Sequence, residues 1–359
     1  MKWTGSYDKC HIDHIDKKRW LFAMYTICFG IMVMLVFGRF LYYGKSFVGG
    51  ADGLSQVAPT MQYTGQYYRA LLKNILQGNL QIPMWDMSIG FGMNILQVIS
   101  FDPLYILCSV LFVHDIAVGI AIFDMLCLYL AGIMFIALCY NLGCNRYAAL
   151  VAALAYIFNG YILNYCIAQN SFLRLFIVLP MILLGVYNVT KKNRYGIFVL
   201  AVLYNITLGP LNIYTIGIVL IFCFCMAYIF SDRKKGVADF FSYIWKPVLI
   251  YILEMLVMAV FLIPTMYKVV SGGRIGNASI NFQWLYDVSY YRSLFHGLVG
   301  IDEIGIHGYL GVTTLAVLAV VSLVTRRKKN ILEKKLCVFG IIAVSYTHLR
   351  AHETRGNIV

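Results

Sequence analysis

The sequence predicts an all-α, polytopic transmembrane helical protein, and three observations carry that prediction. Apolar residues make up 61% of the 359-residue chain and charged residues only 13%, against roughly 25% charge in a soluble domain that must cover its surface with polar groups. Mean hydropathy is +0.75, so lipid must solvate much of the surface. The apolar residues also fall in runs of roughly 17–25, the length a helix needs to cross a hydrocarbon core. The net charge is +13, but its basic residues sit in short clusters between those runs. That distribution records topology and excludes a nucleic-acid partner.

Segment 1–19 is read as a cytoplasmic N-terminus ending in Lys17-Lys18-Arg19. The first span, 20–42, is too long for the apolar core of a secretory signal, and no small-residue cleavage site follows it. Further spans are predicted at 117–140, 147–165, 172–190, 247–265 and 307–325, with 196–230 divided into two by Gly209-Pro210. Segment 98–113 contains Asp102-Pro103 and is read as an interfacial or re-entrant helix. If it does not cross, the segments assigned to the inside carry 19 Lys and Arg and the two outer loops, 44–116 and 266–306, carry 6. If it crosses, most of those basic residues move outside, against the positive-inside rule. Loops of that length in a compact protein are usually functional, and they hold Asp52, Asp86, Asp102, Asp115, Asp287, Asp302 and Glu303.

The chain from 20 to 344 is therefore one transmembrane domain. Its last apolar run, Leu336 to Val344, is only nine residues long. It is read as a truncated span, with 345–359 as a non-native tail. The ten cysteines include no CxxC pair, so neither a disulfide framework nor a zinc site is expected. His296 and His307 lack a third ligand, and no metal site is assigned.

The first outer loop carries the chemistry-bearing pattern. Asp52 stands among Gly49, Gly50 and Gly53 just beyond span 1, where it is either a solvated turn aspartate or a carboxylate facing a cavity at the membrane surface. Gln56 and Pro59 follow, then an amphipathic segment at 63–76, Gly78, Pro83, Trp85-Asp86 and Gly90-Phe91-Gly92-Met93-Asn94. Asp86 and Asp102 read either as assistants to Asp52, or holders of a divalent ion, or as a helix cap and a pre-proline turn. Asp124, Arg174 and Glu254 lie within apolar spans and are functional candidates by default; Asp124 and Arg174 are expected to pair across neighbouring helices or to serve catalysis.

The order Asp52, Gln56, Pro59, Gly78, Pro83, Trp85-Asp86, Gly90-x-Gly92-x-Asn94 resembles the first loop of the YfhO family of bacterial membrane proteins, within the polytopic C-type (GT-C) glycosyltransferases. Leu179-Pro180-x-x-Leu183-Leu184-Gly185 and Leu262-Ile263-Pro264-Thr265 extend the resemblance, which departs from the family pattern at Arg174 and at Gly209-Pro210-Leu211-Asn212. It implies a GT-C-like fold that transfers a sugar from a polyprenyl-phosphate carrier to a cell-envelope glycan acceptor outside the bacterial cytoplasmic membrane. Asp52, with Asp86, would be catalytic, Asp52 serving as the base for the acceptor hydroxyl. Arg69, Lys73, Arg274 and Arg292 would meet the lipid phosphate, or Arg69 and Lys73 would snorkel to headgroups. Gln56, Trp85 and Asn94 complete the substrate-binding set. Interfacial helices at 63–76 and 104–113 would hold the lipid-linked donor at the surface. The rivals are a transporter or flippase of a lipid-linked sugar, which predicts repeats and broken helices, and a non-catalytic assembly subunit.

Overall fold

The computed structural model describes residues 5–49, 52–79, 81–167, 169–229 and 236–271, together with Leu318, Val321, Ser322 and Thr325. Residues 1–157 with 165–268 make one compact unit, and 158–164 with 269–359 make a second. Most of the predicted span 307–325 with His307, most of the loop 266–306 with Arg274, Arg292 and His296, and the segments 336–344 and 345–359 lie outside the described residues.

Helix α1, Gly5–Tyr42, runs unbroken into the first predicted span. Its apolar part, Arg19–Tyr42, is long enough to cross a bilayer and leaves Ile31, Met34 and Leu35 exposed as a lipid-facing stripe. Helix α4, Ile116–Asn141, and helix α6, Leu173–Lys192, are also of crossing length and bury about half of their surface in the protein. They pack on each other at the centre of the unit, with α5, Arg146–Ile157, against α4 and α7, Gly196–Thr207, against α6. Helix α8 is Pro210–Ile229 and helix α9 is Val237–Val257. Gly132 of α4 lets α1 approach: a Cβ there would lie within 2.0 Å of the Tyr25 hydroxyl, which donates to the Tyr129 carbonyl at 3.0 Å.

Two predicted spans have different boundaries. The α-helix in the run 147–165 ends at Ile157, where the Asn159 side chain accepts from the Ile162 N–H at 2.9 Å, an alternative to the helical ladder, and a π-helical turn, Ile162–Cys166, follows. The run 247–265 is likewise not one helix. Helix α9 ends at Val257, and helix α10, Ala259–Ser271, begins after Met258. The joint is at Met258 itself, which leaves helical geometry at φ −90° and ψ 6°, while Pro264 lies within α10. The division at Gly209-Pro210 falls where the sequence places it, with Gly209 at φ 107°.

Segment 98–113 is not a span. Helix α3, Pro103–Leu111, has nine residues, roughly 14 Å against a core of about 30 Å. It lies beside helix α2, Ala58–Leu76, which follows a π-turn at Gly53–Val57. Gly65 is the contact point, where an added Cβ would come within 2.2 Å of the Ser109 carbonyl oxygen. Between α2 and α3 the chain forms a two-residue antiparallel ladder, β1 (Trp85–Asp86) with β2 (Met93–Asn94).

Candidate functional site

Asp52 precedes the π-turn with helical φ and ψ, and its carboxylate caps no N–H. It accepts instead from two amides. The Gln56 Nε2 donates to Oδ1 at 2.8 Å, one helical turn along, and the Gln169 Nε2 donates to Oδ2 from the segment that leads into α6. Both glutamines line a cavity of about 320 Å³ whose wall also includes Thr60, Asn170, Arg174 and Phe261. Asp52 thus sits behind two amides that face one pocket, half-buried rather than a freely solvated turn residue.

Arg174 is the cation in that wall. Its Nη1 donates to Asp102 Oδ2 at 3.3 Å, and the pair is buried, with Asp102 completely so. This corrects the expected partnership: Arg174 pairs with Asp102, not with Asp124. The cause is local. Asp102 caps α3, its Oδ1 accepting from the Leu104 N–H at 2.9 Å, and this fixes the carboxylate toward the start of α6 while Tyr204 of α7 approaches Oδ2 at 3.5 Å. The Tyr105 ring lies 5.7 Å from the guanidinium, a favourable quadrupole contact. Asp102, just before Pro103, thus caps α3, and the same carboxylate orients the cation. Asp124 is fully buried, with Asn170 as its polar neighbour. Glu254 of α9 is buried with no partner on either oxygen.

The other predicted residues lie elsewhere. Asp86 accepts from the Tyr63 hydroxyl at 2.7 Å, the Ser88 N–H at 2.8 Å and the Ser88 hydroxyl at 2.7 Å. These donors, the Ser88 hydroxyl first, hold its pKa below the usual aspartate value, while burial pushes the Tyr63 phenol up. Asn94 accepts from the Leu96 N–H at 3.0 Å and Trp85 is exposed, so hairpin and pocket are separate. Arg69 is tied down as well, its Nε donating to the Val110 carbonyl at 2.7 Å and its Nη1 lying 3.2 Å from His114. It satisfies the last carbonyls of α3, a favourable place for a cation at a helix end. Lys73 is exposed on α2.

Gln169 and Asn170 were not read from the sequence. Their signal was Gln169-Asn170-Ser171, a polar run inside an apolar stretch between two spans, where polar side chains demand a partner or a cavity. Among the described residues no three His, Cys, Asp or Glu side chains gather as a metal site.

Residues 24–349 match the family model described as bacterial membrane protein YfhO. The chain belongs to the YfhO family. No curated protein and no solved structure matches it. The match covers the unit that holds the pocket, so the Asp52 carboxylate, its two glutamines and the Asp102–Arg174 pair are features of a YfhO-family membrane domain.

Proposed function

We propose that this YfhO-family protein is a GT-C-type glycosyltransferase that moves a sugar from a polyprenyl-phosphate carrier to a cell-envelope glycan on the outer side of the bacterial cytoplasmic membrane, with its N-terminus in the cytoplasm. The observation that carries the reading is the juxtaposition of Asp52, through Gln56 and Gln169, with a pocket whose wall contains Arg174. Asp52 takes the proton of the acceptor hydroxyl as that oxygen bonds the anomeric carbon. The bond from that carbon to the lipid phosphate breaks, and the phosphate leaves with the electron pair. Arg174 meets that charge in a poorly solvated site, where a fixed cation stabilises it more than water would. The amides and hydroxyls of Gln56, Gln169, Thr60 and Ser171 suit sugar hydroxyls, and Phe101, Phe261 and Leu262 suit the apolar faces of the ring and carrier. In this reading Asp86, Trp85 and Asn94 shape the hairpin, Arg69 secures α3, and Arg174 takes the phosphate role expected of Arg69.

Asp124 and Glu254 favour a second reading, a flippase of a lipid-linked sugar, because ionisable side chains buried inside a membrane domain mark transport pathways. One experiment separates the two. In a strain lacking the native gene, expression of Asp52→Asn protein keeps size and most hydrogen bonding but removes the base. Glycan transfer should fall by about 10²–10⁴-fold, with membrane insertion unchanged. Normal glycan from this variant would overturn the transferase reading.

A further inference from the structure

The hairpin between α2 and α3 presents apolar side chains away from the protein. Its turn places Gly90, Phe91 and Gly92 at φ 53°, 64° and 110°. Glycine occupies that left-handed region freely, but a phenylalanine there is strained. Phe91 gains nothing from the protein in return, for its side chain is fully exposed, and Ile82, Trp85 and Met87 beside it are exposed by more than half. Strain of this kind at an exposed apolar tip points to a function outside the fold.

Composition and position identify the partner. From Asn74 to Asn94 the only charged side chain is Asp86, and its carboxylate is already bound by Tyr63 and Ser88. The hairpin is fastened to the bilayer-crossing unit. The Tyr67 hydroxyl donates to the Pro83 carbonyl at 3.2 Å, and Ile95, Leu96 and Ile99 pack with Tyr63, Tyr68 and Phe261. Helix α2 in turn is anchored by Arg69 to Val110 and His114, just before α4 begins its crossing at Ile116. The hairpin therefore stands near the level at which α4 leaves the hydrocarbon core. On the same helix Leu72, Ile75 and Leu76 are exposed, with Lys73 among them, so an apolar surface beside a cation continues from the hairpin along α2.

We propose that the hairpin is a membrane wedge, with Phe91, Trp85 and Met87 inserted into the headgroup–acyl boundary of the leaflet at that end of α4. Tryptophan and phenylalanine favour this depth, and an apolar face of this kind enters it by about 5–10 Å. The wedge fixes the tilt of α2 and so the height of the pocket above the lipid. It holds whether or not the protein transfers sugar.

The test uses the full chain in phosphatidylcholine liposomes and compares tryptophan emission of wild-type protein with that of Phe91→Trp and Trp85→Phe. Subtraction isolates the two hairpin positions. Both should emit to the blue, lose intensity in liposomes whose acyl chains are brominated near the headgroup, and resist aqueous acrylamide. Quenching by acrylamide without quenching by bromolipid places the tip in water and overturns the proposal. Resistance to both quenchers means that another protein segment or a second copy covers the tip, and overturns it too. Phe91→Gly relieves the turn, so in detergent it should be at least as thermostable as wild type; a clear loss would show that Phe91 packs against protein.

Discussion

The Asp102–Arg174 pair gives the sharpest test of how the site is built. At 3.3 Å two unit charges attract by about 5 kcal/mol at an effective dielectric near 20, an attraction largely offset by the cost of removing both from water. The pair therefore contributes little net stability, whereas either member alone is expensive. Asp102→Asn keeps the cap to the Leu104 N–H, because asparagine caps as well as aspartate, and changes only the charge. It leaves the guanidinium buried beside Tyr105 with no counter-ion, a loss of about 3–5 kcal/mol. Arg174→Gln leaves the Asp102 carboxylate in the same position, with a similar loss. The double variant removes both charges and should lie within about 1–2 kcal/mol of wild type, giving a coupling energy of about 3 kcal/mol or more. The assay is reversible unfolding in mixed micelles with increasing SDS, run as a double-mutant cycle. Single effects that add to the double within about 0.5 kcal/mol would refute the coupling and the orienting role given to Asp102.

Three further outcomes are expected. Gly65→Val should cost about 1–3 kcal/mol in the same unfolding assay, because its side chain would press on the Ser109 carbonyl and part α2 from α3; an unchanged midpoint would mean that the helices are not in contact there. Asp86 has its folded pKa depressed, so its contribution is fully present above the unfolded value near 3.9 and is lost as pH falls through the lower folded value. Protease cleavage of the hairpin should accordingly be flat from pH 8 to 5, rise only in more acid solution, and rise at every pH in Asp86→Asn. In a cysteine-free background, Lys73→Cys should react with an impermeant thiol reagent in intact cells and Lys192→Cys only after permeabilisation; labelling of Lys192→Cys in intact cells would reverse the orientation.

The fold was legible where a single physical demand governed the sequence. Apolar length fixed α1, α4 and α6, and Gly209-Pro210 marked the start of α8. The boundaries missed were set locally on the backbone, at Asn159, whose side chain takes the Ile162 N–H, and at Met258, where α9 gives way to α10, and hydropathy averages both away. In the site, Asp52 was readable as an acid among glycines just beyond the first span, and Gln56 through the resemblance that carries both. Gln169 was not, since its contact with Asp52 spans 117 residues and no periodicity reports a tertiary bond. Arg174 was visible as a misplaced charge, but its partner was not: Asp124 was the expected acid, and the cap that aims Asp102 at the guanidinium is a tertiary feature. Arg69 and Asn94 had the right chemistry for a ligand and were engaged by carbonyls and N–H groups of their own loop.

The interruption at Met258 bears on how the cavity is held together. Met258, Phe261, Leu262 and Thr265 form one side of the cavity, and all four lie at or after the break between α9 and α10. The Thr265 hydroxyl lies 2.9 Å from the carbonyls of both Phe261 and Leu262 and is held to its own helix. These residues therefore reach the cavity from beyond a backbone joint, whereas Gln56, Gln169 and Arg174 reach it tied to Asp52 and Asp102. The lining of one chamber is thus held in two ways, by side-chain hydrogen bonds to carboxylates and by a helix that starts afresh after Met258.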